Sequence, residues 1–266
     1  MMMDRPNVYV YVTTSLDGRL SLEPNAILYN PDNINLNKYP RFHDMFGDSI
    51  FGALVDELKE SYKPDTFMEG SNMIMFEGQE VKRLPKYNGD SEYLYQDYLP
   101  TEITKNPKRK FWLAIVDGKG RLRSGYKGNE DNEQSHILHL VSYNVAPEYL
   151  AFLQNNKIPY LISGKERVDL KNMLSKMYTK LNLKSIMISS AGKLSGALLR
   201  DDLIDEINIL FNPFIIGGFK TPVLFASPEL NPPKILPTKL TLISSKVNDN
   251  GSIWVRYKVI PNSEKK

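Results

Sequence analysis

The segment Leu183 to Gly218, LKSIMISSAGKLSGALLRDDLIDEINILFNPFIIGG, decides how this chain is read. Its apolar run Ser185-Ile186-Met187-Ile188 has the β-branched content of a buried strand. Small residues follow at once: Ser189, Ser190, Ala191 and Gly192. A helical pattern then places Leu194, Ala197 and Leu198 on one face. A second apolar run, Ile207 to Phe211, predicts the next strand and ends in Pro213 and the pair Gly217-Gly218. A strand that passes through small residues into a helix aims backbone N–H groups at one spot, and such a spot can bind a phosphate. Small residues in such a turn can equally be there for packing, and the residues alone leave both readings open.

Outward from this segment, the chain alternates strand and helix patterns. Upstream, Ile158 to Ile162 predicts a strand that ends at Ser163-Gly164-Lys165. Asp169 is the expected N-cap of a helix carrying Leu170, Met173, Leu174, Met177 and Leu181. Ile137 to Ser142 and Phe111 to Val116 predict two more strands, with Asp117 to Gly120 as a turn and Pro147 as a helix start. Val8 to Val12 predicts the first strand, followed by a polar turn over Thr13-Thr14-Ser15-Leu16-Asp17-Gly18. Residues 23–40 read as loop. Phe42 to Tyr62 has helical spacing up to Pro64. Thr66 to Glu69 predicts a short strand before a small-residue turn, Gly70-Ser71-Asn72. Residues 77–109 are polar and tyrosine-bearing, without a clear period. Downstream, Leu240 to Val247 and Ile253 to Val259 flank Asn248-Asp249-Asn250-Gly251, a hairpin signature. The pattern predicts an α/β fold: a mainly parallel sheet flanked by helices, with an antiparallel C-terminal hairpin. No repeat or linker divides it, so a single domain is expected over residues 1–260, with a polar tail at 261–266.

Composition narrows the function classes. The chain has 266 residues, a hydrophobic fraction of 41% and a net charge of +3. That is enough for a real core and too little charge to argue for nucleic acid. The basic cluster Lys105 to Lys110 therefore reads as a solvated loop. Cysteine is absent, which removes disulfides, thiolate metal sites and a cysteine nucleophile. No run of residues is long and apolar enough for a membrane, and the expectation is a soluble, cytoplasmic protein. His43, His136 and His139 lack metal-ligand spacing and are expected on the surface or in the core. No G-x-S-x-G elbow, Walker A sequence or full G-x-G-x-x-G occurs. What remains is a set of small-residue turns at strand ends: 13–18, 70–72, 163–165, 189–192 and 217–218. In open α/β sheets, ligands bind beyond the carboxyl ends of strands. Asp17 is the acid within these turns. It could bond a polar heterocycle, but a capping role comes first.

The order of these motifs resembles the reductase domain of riboflavin biosynthesis, the C-terminal half of the bifunctional deaminase-reductase. Arg5-Pro6-Asn7-Val8 through Ser15-Leu16-Asp17-Gly18 is similar to that family's opening pattern. Gly70-Ser71-Asn72 resembles its next glycine turn, and Ser189 to Leu199 its glycine-rich turn and helix. Asp202-Leu203-Ile204-Asp205-Glu206 through Pro213 and Gly217-Gly218 resembles its last block. The resemblance implies a dihydrofolate-reductase-like fold, NADPH as hydride donor, a pyrimidine-type heterocycle or its ribosylamino phosphate as substrate, and a homodimer. 5-Amino-6-(5-phosphoribosylamino)uracil is the substrate it suggests first.

The resemblance also implies site residues. Ser190, Ala191, Gly192, Lys193 and Leu194 would carry the cofactor pyrophosphate, and Gly70, Ser71 and Asn72 would face the cofactor. Ser163, Lys165 and Arg167 fall where this fold places the adenosine ribose, so the two cations would meet a 2′-phosphate. Asp17 and Thr14 would lie near substrate and nicotinamide. One departure, Met73 in place of a threonine, follows the Gly70-Ser71-Asn72 turn; two more, Tyr11 in place of the family lysine and Ser189 in place of its glutamate, fall on residues that contact substrate in the family. They favour a related planar heterocycle over the riboflavin intermediate, and Tyr11 could stack on it. A pteridine or dihydrofolate reductase on the same fold is one alternative. A nucleotide-binding protein without catalysis is another.

Overall fold

The structure, a computed structural model, describes residues 4–22, 24, 48–75, 80–123, 135–230 and 237–261. In chain order the elements are β1 (Asn7–Ser15), α1 (Asp48–Tyr62), β2 (Thr66–Gly70), α2 (Thr101–Thr104), β3 (Phe111–Val116), β4 (Ser135–Val141) and α3 (Pro147–Asn155). Then come β5 (Tyr160–Ile162), α4 (Leu170–Leu181), β6 (Ser185–Ile188), α5 (Lys193–Arg200), β7 (Glu206–Asn212), β8 (Lys239–Val247) and β9 (Ile253–Ile260). Single 3₁₀ turns cover Ser71–Met73 and Glu92–Tyr95. The chain forms two compact units, Met1–Pro6 with Pro64–Ile186, and Asn7–Lys63 with Met187–Lys266.

In the first unit the strands lie in the order β5-β4-β3-β2, every neighbouring pair parallel. Every residue of β4 is buried, which is why its sequence shows no clean alternation. α4 occupies the predicted residues, and Asp169 caps it by accepting a hydrogen bond from the Asn172 N–H at 3.0 Å. Leu170, Met173, Leu174 and Met177 are its buried face. The aperiodic stretch before β3 is ordered by its tyrosines rather than by a helical or strand repeat. Leu94 is fully buried, Tyr95 donates to Val145 O at 2.9 Å, and Tyr160 donates to Leu94 O at 2.6 Å. Asp97 then accepts from the Ile162 N–H at 2.9 Å and pairs with Lys176 and Lys180.

In the second unit β1 runs parallel to β7, β7 is antiparallel to β9, and β9 is antiparallel to β8. The hairpin turn forms as expected, with Asn248 N–H donating to Ser252 O. α1 begins at Asp48; residues 25–47, with the rest of the predicted loop and helix start, lie outside the described residues. Its last residue, Tyr62, stacks on Tyr9 at 3.8 Å between ring centroids and donates to Glu206, which also holds Arg256 at 3.0 Å. β1 is longer than its apolar pattern predicts. Thr13, Thr14 and Ser15 belong to the strand, not to a turn, and all three are buried. Burial is possible because their polar groups are satisfied: Asn212 Nδ2 donates to Thr13 Oγ1 and Thr14 O, and Thr14 Oγ1 donates to Arg19 O.

Candidate functional site

The carboxyl ends of β1 and β7 are tied together by one side chain. Asp17 accepts from the Ser15 hydroxyl at 2.6 Å, from Ile216 N–H at 3.1 Å and from Gly217 N–H at 2.8 Å. Arg19 Nε stands 3.7 Å away. The Ser15 hydroxyl and the Ile216 amide hold the Asp17 carboxyl down at about 2. The group is thus an anion at any ordinary pH, and its contacts are those of the cap placed first on sequence grounds.

A strap formed by Pro222–Ala226 continues from this clamp to the turn before α5. Arg19 and Val223 form an antiparallel bridge, and Leu20 N–H donates to Pro222 O. At the other end Gly192 N–H donates to Leu224 O at 2.8 Å and Ala226 N–H to Gly192 O at 3.1 Å. This corrects one expectation: the Gly192 N–H is engaged by the strap and is not offered to a phosphate. Gly192 is nonetheless the N-cap of α5, with φ +74 and ψ −124, a conformation for which glycine is suited. A Cβ built there would meet nothing nearer than Val223 O at 3.7 Å. Gly192 itself is buried, and that 3.7 Å is ordinary van der Waals contact, so the fit to a phosphate rests on the small side chains of Ser189, Ser190 and Ala191. Ser195 bonds back from within α5, its hydroxyl donating to Ser190 O at 2.6 Å. Lys193 is exposed and Leu194 is buried. Gly196 has a different role: its Cβ would stand 2.5 Å from Ala226 O, so α5 touches the strap backbone there.

The proposed substrate residues divide. Ser189 is half-buried at the end of β6. Tyr11 is 8% exposed, and its ring packs on Phe51 at 6.1 Å between centroids. Its aromatic face therefore belongs to the core of the second unit, which removes the reason to expect it to stack on a substrate. Thr14 is fully buried with its hydroxyl on Arg19 O.

The remaining expected residues lie in the first unit. Gly70 ends β2, and Ser71 and Asn72 form the 3₁₀ turn after it. Arg121, which the sequence reading passed over, holds this turn: Nη2 donates to Asn72 Oδ1 at 2.6 Å, Ser71 Oγ at 3.1 Å and Met75 O at 3.4 Å. Arg121 is itself fixed through its neighbour, because Leu122 N–H donates to buried Asp117 Oδ2. Tyr149 also donates to that oxygen, at 2.8 Å, and His139 Nδ1 lies 3.0 Å from the Tyr149 hydroxyl. Burial and the Asp117 carboxylate raise Tyr149 well above its ordinary range, so it stays a donor. His139 is thus a core histidine, and His136 stacks on Trp112 at 4.4 Å. Burial, helped by Arg109, holds His136 below its ordinary value. Ser163 and Lys165 follow β5, the first buried and the second exposed. A sequence signal for Arg121 did exist: the turn Asp117–Gly120 is followed at once by Arg121-Leu122-Arg123, cations beyond the end of a buried parallel strand.

Among the described residues, no group of three or more His, Cys, Asp or Glu could hold a metal ion. No helix among them is long and apolar enough to cross a membrane.

Comparison with known proteins gives one consistent result. A 2,5-diamino-6-ribosylamino-4(3H)-pyrimidinone 5′-phosphate reductase of Archaeoglobus fulgidus is 26% identical over 220 residues, 83% of this chain and 86% of the relative. Among solved structures, a pyrimidine reductase-like protein from Corynebacterium diphtheriae has a TM-score of 0.60 at 17% identity, covering 97% of this chain and 93% of the other. A riboflavin biosynthesis reductase of Saccharomyces cerevisiae has a TM-score of 0.53 at 15% identity, covering 98% and 92%. At these identities the structural likeness concerns the fold, which is the dihydrofolate-reductase-like α/β arrangement expected. Residues 6–253 match the model of the RibD C-terminal domain, and the chain belongs to that family.

Proposed function

We propose that the protein is an NADPH-dependent reductase of the riboflavin-biosynthesis type. Its substrate on this reading is a phosphoribosylamino-pyrimidine, either 5-amino-6-(5-phosphoribosylamino)uracil or the diaminopyrimidinone named for the Archaeoglobus relative. The observation that carries the reading is the family match over residues 6–253, which includes the whole strand–turn–helix segment around Gly192. The small residues Ser189, Ser190 and Ala191 before Gly192 support it. When bound, the nicotinamide supplies the hydride, and the protein supplies orientation. Ser190, Ala191, Lys193 and Leu194 would hold the pyrophosphate. Gly70, Ser71 and Asn72, set by Arg121, would contact the cofactor in the first unit. Lys165 and Arg167 would select the 2′-phosphate, and Ser163 would lie beside the ribose. Asp17 positions the turns at 15–19 and 216–217, and its low pKa makes it unsuited to donate a proton. The protein works as a homodimer on this reading, a state favoured by the exposed apolar side chains of β8.

The test is NADPH oxidation with each of the two pyrimidines, set beside dihydrofolate and dihydropteridines. Saturable oxidation with a pyrimidine and none with the pterins is expected. Turnover of the pterins alone would replace the reading with a pterin reductase. Thermal stabilisation by NADPH without turnover of any compound would leave a nucleotide-binding protein.

A further inference from the structure

Three turns close the carboxyl ends of β3, β4 and β5, adjacent parallel strands of the first unit. They are laced together. Ser142 Oγ donates to Gly118 O at 2.8 Å, Tyr143 N–H to Gly164 O at 2.9 Å, and Asp169 N–H to Ser163 O at 3.2 Å. A Cβ on Gly118 would stand 3.2 Å from Val168 Cγ2, and one on Gly164, at φ +84, would stand 2.0 Å from Arg167 O. The loop from Ser163 to Asp169 is therefore folded tightly on itself, and it leaves Lys165, Glu166 and Arg167 exposed. Within this rim Tyr143 stands out. Ser142 before it is fully buried, yet Tyr143 is 48% exposed. It lies two residues beyond β4, a strand whose every residue is buried. Near its backbone partner, Ser163 is 1% exposed and its buried Oγ has no hydrogen-bond partner among the described residues, so a polar group there is left for something else to satisfy.

A half-exposed tyrosine, two exposed cations one and three residues beyond its backbone partner, and a buried hydroxyl without a partner are the parts needed to hold a phosphorylated purine nucleoside. We propose that Tyr143 is the platform on which the adenine of the dinucleotide stacks. The proposal rests on the NADPH reading above and adds the residue that grips the base. Glu166 and Asp169 set a limit on charge: they offset the two cations of the loop, so stacking and not charge alone must supply affinity for the adenosine half.

The experiment titrates NADPH, NADH and reduced nicotinamide mononucleotide by nicotinamide fluorescence, on the parent protein, Tyr143→Ala and Tyr143→Phe. Loss of one base–aromatic stack weakens binding about ten-fold or more. Tyr143→Ala should weaken NADPH and NADH to the same degree and leave the mononucleotide, which lacks adenine, unchanged. Tyr143→Phe should bind all three as the parent does. Equal weakening of all three ligands by Tyr143→Ala would show a structural role and overturn the proposal. So would NADPH affinity unchanged by Tyr143→Ala. A parent protein that binds none of the three would instead overturn the cofactor reading, and the platform with it.

Discussion

Asp17 shows how one carboxylate can look catalytic in a sequence and be structural in the fold. It sits in a turn at a strand end, where ligands are expected. Its oxygens are nevertheless taken by Ser15, Ile216 and Gly217. These donors favour the charged form, so its pKa falls from 3.8 to about 2. For a depressed carboxylate, the stabilising contribution is complete above 3.8 and is lost as pH falls through about 2. Above pH 4 the rate should therefore show no limb from this group. Asp17→Asn should lower the melting temperature, because an amide offers one acceptor oxygen where two are used. Turnover per folded molecule should stay within a few-fold of the parent. A parent rate that rises or falls through an acidic pKa, and loses that limb in Asp17→Asn, would restore Asp17 as an acid or base. The sequence suggested the cap but not its partners, since Ile216 and Gly217 are some 200 residues away and contribute only backbone, which no pattern encodes.

At the scale of elements, much of the fold could be read directly. The bounds of α4 are legible because Asp169 caps it and its apolar residues recur at helical spacing. β3 and β6 were bounded by short apolar runs between polar turns. The ordering of residues 84–98 was not legible, because it depends on tyrosine hydroxyls and on Asp97 reaching distant backbone, not on a period. The Pro222–Ala226 strap was hidden for a similar reason: its links to Gly18, Leu20 and Gly192 are backbone to backbone. Its presence gives α5 an unusual requirement at Gly196. In an ordinary helix interior, Gly→Ala gains up to about 1 kcal/mol. Here the new methyl would press on Ala226 O at 2.5 Å and Ser227 N at 2.8 Å, which are backbone atoms with little freedom to move. Gly196→Ala should therefore destabilise the protein by about 1–3 kcal/mol, the usual cost of overpacking. Denaturant unfolding measures it directly. A more stable variant would mean that the strap yields readily and does not hold the Gly192 turn.

For the whole molecule, the question is how the protein assembles. β8 is nine residues long and exposed along its entire length, and among the described residues it pairs only with β9. Leu242 and Val247 are 53% and 70% exposed, and Leu240 and Ile243 are close to half exposed. A lone exposed leucine means little, but four on one edge strand are a surface that a soluble protein would ordinarily cover. Lys239 and Lys246 guard the two ends of the strand, and a β-bulge between Leu242 and Ser244 interrupts its register. A bulged edge pairs poorly as a continuous ladder, so packing of side chains is the expected mode of contact between two copies. Leu242→Lys tests this with little risk to the fold, since a surface change away from packing typically costs within about 0.5 kcal/mol. Sedimentation of the parent at micromolar concentration should give a dimer, and Leu242→Lys should shift it towards monomer with an unchanged melting profile of the monomeric fraction. A parent that sediments as a monomer would remove the homodimer from the proposed function. A dimer indifferent to Leu242→Lys would move the interface away from β8 while keeping the dimer itself.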